Sequence, residues 1–361
     1  MKKVPFYDAE TCYYAAMIGC LESIHSGTTT VLDYMYFQSR PRLNDAVIKA
    51  FRDTGIRGIL GRGYTSLADL AKSNCCEIIE TVPMFLEDTK RLLMDYPVED
   101  NDLLSIFLAP GIIWDLTIEE LLDIRKFADE HRLSITMHLV ETEDDDTFTL
   151  QRHNKRTIEL LDEIGFLGPD VIAVHCVHMQ PSDIDIFRKH DVKISYNPTS
   201  NMILASGVAP IKQFMDSGLT VSLASDGAAS NDSQDMIETM KNATLLQKVF
   251  SRDASLLPAP EVLKMATING ARAIGKEKTI GSLEVGKRAD MFIFNPWTSK
   301  TVPMHDPVSA LVYSAGEDNV ETTIINGRVV MEKKKMLLVD EDEVLKKAAA
   351  AAVKLRKNAG I

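Results

Sequence analysis

His138 and Glu141 stand three residues apart in the stretch Ser134-Ile-Thr-Met-His138-Leu-Val-Glu141. The run reads as a short buried strand ending at about Leu139. Side chains alternate faces along a strand, so positions three apart diverge unless the chain turns between them. With Glu141 in the following loop, its carboxylate can bend back over His138. A histidine at the C-terminal tip of a parallel strand, beside a loop carboxylate, suits a metal ligand next to a general acid/base. The plainer reading is a histidine satisfied at a strand end. His175 closes the run Val171-Ile-Ala-Val-His175, and Asp226 closes Leu219-Thr-Val-Ser-Leu-Ala-Ser-Asp226. Two imidazoles and two carboxylates from three strands then meet, a set that suits a hard or borderline divalent metal with an activated water.

Strand tips must bring these groups together, and the chain is patterned to supply them. Short apolar, β-branched runs start near residues 28, 58, 103, 134, 171, 193 and 219. Amphipathic helical segments alternate with them: Ala9 to Ile24, Arg42 to Asp53, Glu77 to Asp95, Leu150 to Ile164, Ser182 onward, and Ile211 to Asp216. Thr117-Ile-Glu-Glu120 is a capping box that opens a helix running to about His131. Strands alternating with helices make βα units and a parallel sheet. Polar residues fall repeatedly at the C-terminal ends of the strands, namely Asp33, Arg62, His138, His175, Asn197 and Asp226. That is the active face of a (β/α)₈ barrel. No glycine-rich phosphate loop of an open doubly wound sheet is present. The expected fold is an α/β TIM-type barrel one strand short of eight. After helices at Gln234–Val249 and Pro260–Ile274, residues 281–295 and 320–338 read as short antiparallel strands with Gly turns, a small C-terminal β appendage. A charged, Ala-rich helix from Glu341 to Lys357 closes the chain. The expected division is a barrel over 1–276, the appendage over 277–338 and the helix over 339–361.

Composition narrows the partners. The 361 residues carry a formal net charge of −12, which argues against nucleic acid or an anionic membrane surface. No apolar run is long enough to span a bilayer, and Met1-Lys-Lys-Val-Pro-Phe-Tyr-Asp lacks the apolar core of a secretory signal. Cys12, Cys20, Cys75, Cys76 and Cys176 form neither C-x-x-C spacing nor an even framework, so reduced thiols in a cytoplasmic protein are expected. Cys75-Cys76 reads as part of a helix or loop, because vicinal disulfides are strained.

A set of ordered motifs extends the reading. Val174-His-Cys-Val-His178, Tyr196-Asn-Pro-Thr-Ser-Asn201, Ala205-Ser-Gly-Val-Ala-Pro210 and Ser225-Asp-Gly-Ala-Ala-Ser-Asn231 follow one another, with Ala266 to Gly275 and Ile280 to Asp290 after them. The series resembles the amidohydrolase superfamily, in particular its aminohydrolase branch of S-adenosylhomocysteine/methylthioadenosine deaminases, guanine deaminases and triazine hydrolases. The resemblance covers nearly the whole chain. It implies that His138 is the metal-binding histidine of the fifth family strand and that Glu141 shuttles the proton from water to the leaving amine. It implies that His175 orients the hydrolytic water, and that Asp226 binds metal and accepts the water's proton. The implied cofactor is one divalent metal, zinc ahead of iron. The implied reaction is hydrolysis of a non-peptide C–N bond on a purine-like or triazine-like ring, a small heterocyclic substrate. Loss of halide or alkylamine from such a ring is the second enzymatic reading.

Two departures qualify what the resemblance implies. The family's first strand carries His-x-His, and none of the eight histidines here stands one residue from another. The missing motif and the missing eighth strand coincide, as an N-terminally shortened family member or a degenerate relative would show; intact downstream motifs favour the first. With only His138 and Asp226 as donors, metal affinity is expected to be poor, because catalytic zinc usually takes three protein ligands. A non-catalytic barrel that binds ligand or a homologous subunit is therefore the alternative from another class. Secondly, where the family's fourth strand ends in Pro-His, this chain has Ala109-Pro110-Gly111, so either the substrate or the way it is bound is expected to differ. Exposed barrel edges favour association into a homo-oligomer.

Of the remaining candidates, Arg62 is read as meeting either substrate or Asp33, and His178 as structural. Asn197, Asn201 and Ser230 are read as loop braces bonding to backbone. His25, His131, His153, His190 and His305 are read as surface residues, and the scattered methionines as core filling.

Overall fold

The computed structural model describes residues 6–65, 80–97 and 101–360. Seven parallel strands, β1 (Thr30–Met35), β2 (Arg57–Tyr64), β3 (Leu104–Pro110), β4 (Ile135–Leu139), β5 (Val171–His175), β6 (Lys193–Tyr196) and β7 (Val221–Leu223), lie side by side in sequence order. Helices connect them, as parallel pairing requires. The two faces of each strand have different jobs. Ile135, Met137 and Leu139 of β4 join the large core beneath the surrounding helices, together with Val171 and Ala173 of β5. Ile59, Phe107 and Ile172, from β2, β3 and β5, form a separate apolar cluster with Leu32 of β1. Such a cluster, drawn from several strands, is the interior layer of a barrel. Tyr34 confirms the curl: its hydroxyl donates to Pro110 O at 2.8 Å and lies 3.2 Å from Thr136 O, reaching from β1 across to β4. β1 and β7 are the two ends of the sheet, which is open there.

The barrel with one strand missing is therefore borne out, and the helical expectations need three adjustments. Leu150 to Ile164 is two helices, Asp144–His153 and Thr157–Glu163, because Asn154 turns left-handed (φ 54°) between them. Pro260 to Ile274 is likewise split, into Ala259–Ala266 and Ile268–Ala273 at Thr267. Of the segment 77–95, the described part is helical over Val82–Asp95, while 77–79 and Cys75-Cys76 lie outside the described residues. The capping box at Thr117 forms with both hydrogen bonds, and its helix spans Ile118–His131. Cys12, Cys20 and Cys176 are buried free thiols. Among the described residues, no helix is long and apolar enough to cross a membrane.

Beyond the barrel, β8 (Met291–Phe294), β9 (Val320–Ile325), β10 (Arg328–Glu332) and β11 (Lys335–Met336) pair antiparallel in the order β11-β10-β9-β8. This is the expected appendage. Arg57 on β2, 1% exposed, ties it to the barrel by two bonds to Asp290 at 2.9 and 3.1 Å. The closing helix, Glu341–Asn358, packs on the first helix, Ala9–His25, and His25 meets Glu341 at 3.0 Å.

Two strand residues expected near the mouth are used elsewhere. Arg62 is buried and ion-paired with Glu80 and Asp88, not with Asp33. Asp33 sits near the buried thiols of Cys12 and Cys20, and burial raises its carboxyl to about 6. A carboxyl whose folded value lies above its unfolded one holds its proton better when folded. Its contribution is therefore favourable at low pH and is lost as pH rises from about 4 through about 6. Asp33→Asn is expected to stabilise the protein by up to about 3 kcal/mol at pH 8 and hardly at all at pH 4. Denaturant melts at the two pH values check this; an equal shift at both would refute it.

Candidate active site

The tips of β4, β5 and β7 face one opening. In the β4–β5 register His138 lies opposite Val174 and Leu139 opposite His175, so the two imidazoles are staggered by one residue. Their ring centroids are 5.1 Å apart. At the ends of these strands and in the turns that follow, the backbone leaves ordinary geometry. Val140 (φ 46°), His175 (φ 71°), Cys176 (φ 53°) and Asp226 (φ 69°) are all left-handed without being glycine. Each such residue costs about 1–3 kcal/mol and persists only where its surroundings hold it. Here Cys176 N donates to Leu139 O, and Val177 N and His178 N both donate to Val140 O. The turns they brace aim the side chains inward.

His175 is 1% exposed, and its Nε2 lies 3.5 Å from Glu141 Oε2 and 3.9 Å from Asp226 Oδ2. Its Nδ1 is 3.0 Å from Asn201 Nδ2. Two carboxylates facing Nε2 need a proton there, so in the neutral ring Nδ1 is the acceptor and the Asn201 amide donates to it. Asn201 thus selects the tautomer whose N–H points at both carboxylates. Glu141 is positioned in turn by Ser206, whose Oγ donates to Oε1 at 2.8 Å, and His178 Nε2 donates to Ser206 O at 2.8 Å. The carboxylates keep about a fifth of their surface exposed, enough to meet a ligand.

His138 is a neighbour of this trio with partners of its own. Its ring meets Tyr34 edge-on at 4.6 Å and tilts against Tyr36 at 5.3 Å. The Tyr36 hydroxyl lies 2.7 Å from Nε2 and 2.9 Å from Nδ1. Burial, and then His175, hold the His138 ring well below the usual imidazole range, so it is neutral. Burial, and then Asp226 and Glu141, push the Tyr36 phenol well above its usual value, so it keeps its proton.

The four site residues expected from the sequence thus lie at one mouth, with His175, Glu141 and Asp226 in near contact and His138 beside them. Among the described residues, no group of three or more His, Cys, Asp or Glu side chains is arranged to hold an ion. Three further residues shape the site. Asn201 bonds to the His175 ring and Asn197 accepts from the Ser195 hydroxyl, both side chain to side chain and not to backbone as expected, whereas Ser230 donates to Gly227 O in a brace of the expected kind. Ser206 and Tyr36 carried no sequence signal beyond membership in a motif or proximity to a strand end. An acidic surface cavity bordered by Glu22, Asp235, Glu238 and Glu317 lies at the appendage and includes none of these groups.

A family model described as the amidohydrolase family matches residues 4–330. The chain belongs to the amidohydrolase family. Among curated family members, a 5'-deoxyadenosine deaminase of Methanothermobacter thermautotrophicus is 38% identical over 324 residues, 90% of this chain and 72% of that protein. A 5-methylthioadenosine/S-adenosylhomocysteine deaminase of Thermoanaerobacter pseudethanolicus is 36% identical, again over 90% of this chain and 72% of its own length. The fold matches a solved adenosine deaminase of Xanthomonas campestris with bound zinc at a TM-score of 0.91 and 24% identity, covering 99% of this chain and 78% of that one. An atrazine chlorohydrolase of Arthrobacter aurescens complexed with zinc matches at a TM-score of 0.88 and 24% identity, over 96% and 77%. The family's hydrolases of C–N bonds are thus this chain's relatives, and its barrel is theirs.

If Asn201 sets the His175 tautomer, Asn201→Ala leaves the fold intact and lowers turnover by the worth of one hydrogen bond, about 0.5–1.5 kcal/mol or about 3- to 10-fold. The check is kcat against KM: the loss should fall on kcat. A change in KM alone would mean that Asn201 only shapes the pocket.

Proposed function

We propose that this chain catalyses the hydrolytic deamination of an adenosine-type nucleoside altered at the 5' position. The convergence of His175 Nε2 on Glu141 and Asp226 carries this reading. The relatives at 36–38% identity, each named as a deaminase of such a nucleoside, support the substrate class. In the reaction, water forms a C–O bond to the ring carbon bearing the amino group, and the C–N bond to that group breaks. Asp226 accepts a proton from the attacking water. Glu141 takes the water's other proton and gives it to the ring nitrogen, and the proton held by Asp226 passes to the departing amine by way of Glu141, so the amine leaves as ammonia and the product is the ring carbonyl beside a ring N–H. The His175 N–H orients the water oxygen between the two carboxylates. Two acceptors and one oriented donor are what such a transfer needs.

Zinc dependence is also a proposal, with His138 and Asp226 as its donors. Those two alone fall short of the three protein ligands a catalytic zinc site takes. Among the described residues no three-donor group is found, which favours a second reading, a barrel that binds nucleoside without turning it over. We also propose that the open edges at β1 and β7 pair with another copy, and that the barrel, appendage and closing helix divide as 1–276, 277–338 and 339–361.

The test is ammonia release from 5'-deoxyadenosine, 5'-methylthioadenosine, S-adenosylhomocysteine and adenosine, with and without added zinc, beside equilibrium binding of the same compounds. Release from a 5'-altered nucleoside supports the enzyme. Binding without release selects the second reading, and neither would overturn both.

A further inference from the structure

The helix Met236–Ser251 buries one face, through Ile237, Met240, Ala243, Thr244 and Gln247, and leaves the opposite face to solvent. On that outer face Leu245, Val249 and Phe250 keep 47%, 75% and 64% of their surface exposed. Single exposed apolar side chains are ordinary, but neighbours rimmed by charge mark an interaction surface. The apolar surface continues onto the helix Pro198–Ile203. Asn242 donates to the Thr199 hydroxyl at 3.1 Å, and Met202, Ile203 and Leu204 at the end of that helix are about half exposed. Charge shows what the face accepts. Glu238, Leu245 and Arg252 are spaced seven residues apart, so they fall along one stripe. Glu238 stands at an acidic end, beside Asp235 and Glu317. Arg252 caps the other end, where Asp253 is taken up by hydrogen bonds from Ser255. Glu238 and Arg252 are both exposed, and among the described residues neither side chain has an ion-pair partner.

We propose that this face pairs with the same face of a second copy of the chain, the two helices running antiparallel about a twofold axis at Leu245. A twofold contact must be complementary to itself. An apolar midpoint with an acid and a base at equal distances on either side meets that requirement. Leu245 then packs on the partner's Leu245, Val249 on the aliphatic stem of the partner's Lys241, and each Glu238 meets the partner's Arg252. A parallel pair would set glutamate on glutamate and arginine on arginine, which like charges oppose. One helix face is small beside the about 800 Å² per partner that a specific interface buries, and the apolar end of Pro198–Ile203 widens it. The proposal depends neither on deamination nor on the open sheet edges, because it uses side chains of a helix face and no backbone pairing.

Sedimentation equilibrium of the full chain at micromolar concentration is expected to show a dimer. Glu238→Arg turns both cross-pairs from attraction to repulsion and should weaken the dimer about tenfold. Adding Arg252→Glu to that variant restores opposite charges and should bring the dissociation constant back to that of the unaltered chain. Leu245→Glu sets two carboxylates on the axis and should leave a monomer. All three positions are exposed, so circular dichroism of the variants should match the unaltered chain; the charge swap decides the matter even if Leu245→Glu fails to fold. A monomeric unaltered chain would overturn the proposal. A dimer indifferent to these substitutions would overturn it too, and is the result expected if the open sheet edges did the pairing. A Glu238→Arg defect that Arg252→Glu leaves unrepaired would equally overturn it, since the helices would then not run antiparallel in this register.

Discussion

Glu141→Gln is expected to lower deamination by about 10²- to 10⁴-fold, the usual worth of a positioned general acid/base, with binding of the nucleoside little changed. The substitution preserves size and retains an oxygen for the Ser206 hydroxyl that now bonds Glu141 Oε1. It abolishes the capacity to take up and return a proton opposite His175 Nε2, 3.5 Å away. The loss should therefore fall on kcat. Ser206→Ala separates chemistry from placement: it leaves the carboxylate but frees it, and should cost about 3- to 10-fold. A glutamine variant with near-normal kcat would show that the proton travels by another route and would remove Glu141 from the mechanism.

Asp290→Ala should destabilise the fold by about 3–5 kcal/mol, the cost of stranding one partner of a buried ion pair. Asp290 and Arg57 are 3% and 1% exposed, and the pair joins the appendage to the base of β2. Asp290 Oδ1 also accepts from Asn326 N at 2.6 Å, so the carboxylate organises the β9–β10 turn as well. Removing it leaves a guanidinium in the interior beside the Asp102 carbonyl and carboxylate. The double variant Arg57→Met/Asp290→Leu removes both charges and should recover much of the loss, because neutralising a buried pair together is far cheaper than breaking it. Urea melts of the three proteins decide the point. A single variant within about 1 kcal/mol of the parent would mean that water reaches and screens the pair.

Much of this molecule was legible in the residues. The seven strands could be placed because β-branched apolar runs alternate with amphipathic helices, and buried parallel strands leave that signature. The helix from Ile118 to His131 was readable to its ends, since the Thr117 capping box is a local hydrogen-bond pattern. His138, Glu141, His175 and Asp226 were legible as chemistry because polar groups at successive strand tips share a face once the sheet is parallel. Breaks within helices were not legible: a left-handed turn at Asn154 depends on the packing of the segments it joins.

Partnerships across the chain were decided by tertiary structure alone. Arg62 and Asp33 are both strand residues with free-looking charges in the sequence, yet Glu80 and Asp88 claim the arginine, and the aspartate sits beside the thiols of Cys12 and Cys20. Asn201 meets His175 across 26 positions, Ser206 meets Glu141 across 65, and Tyr36 meets His138 across 102. No local pattern encodes such pairs, because each exists only after the strands have curled and their loops have folded over one mouth. By itself the sequence determined that His138, His175 and Asp226 fall at strand tips and Glu141 just beyond one, and so at one end of the barrel. The tertiary structure decided which nitrogen of His175 bears the proton, what holds Glu141 in place, and that the neighbour at the His138 nitrogens is the phenol of Tyr36.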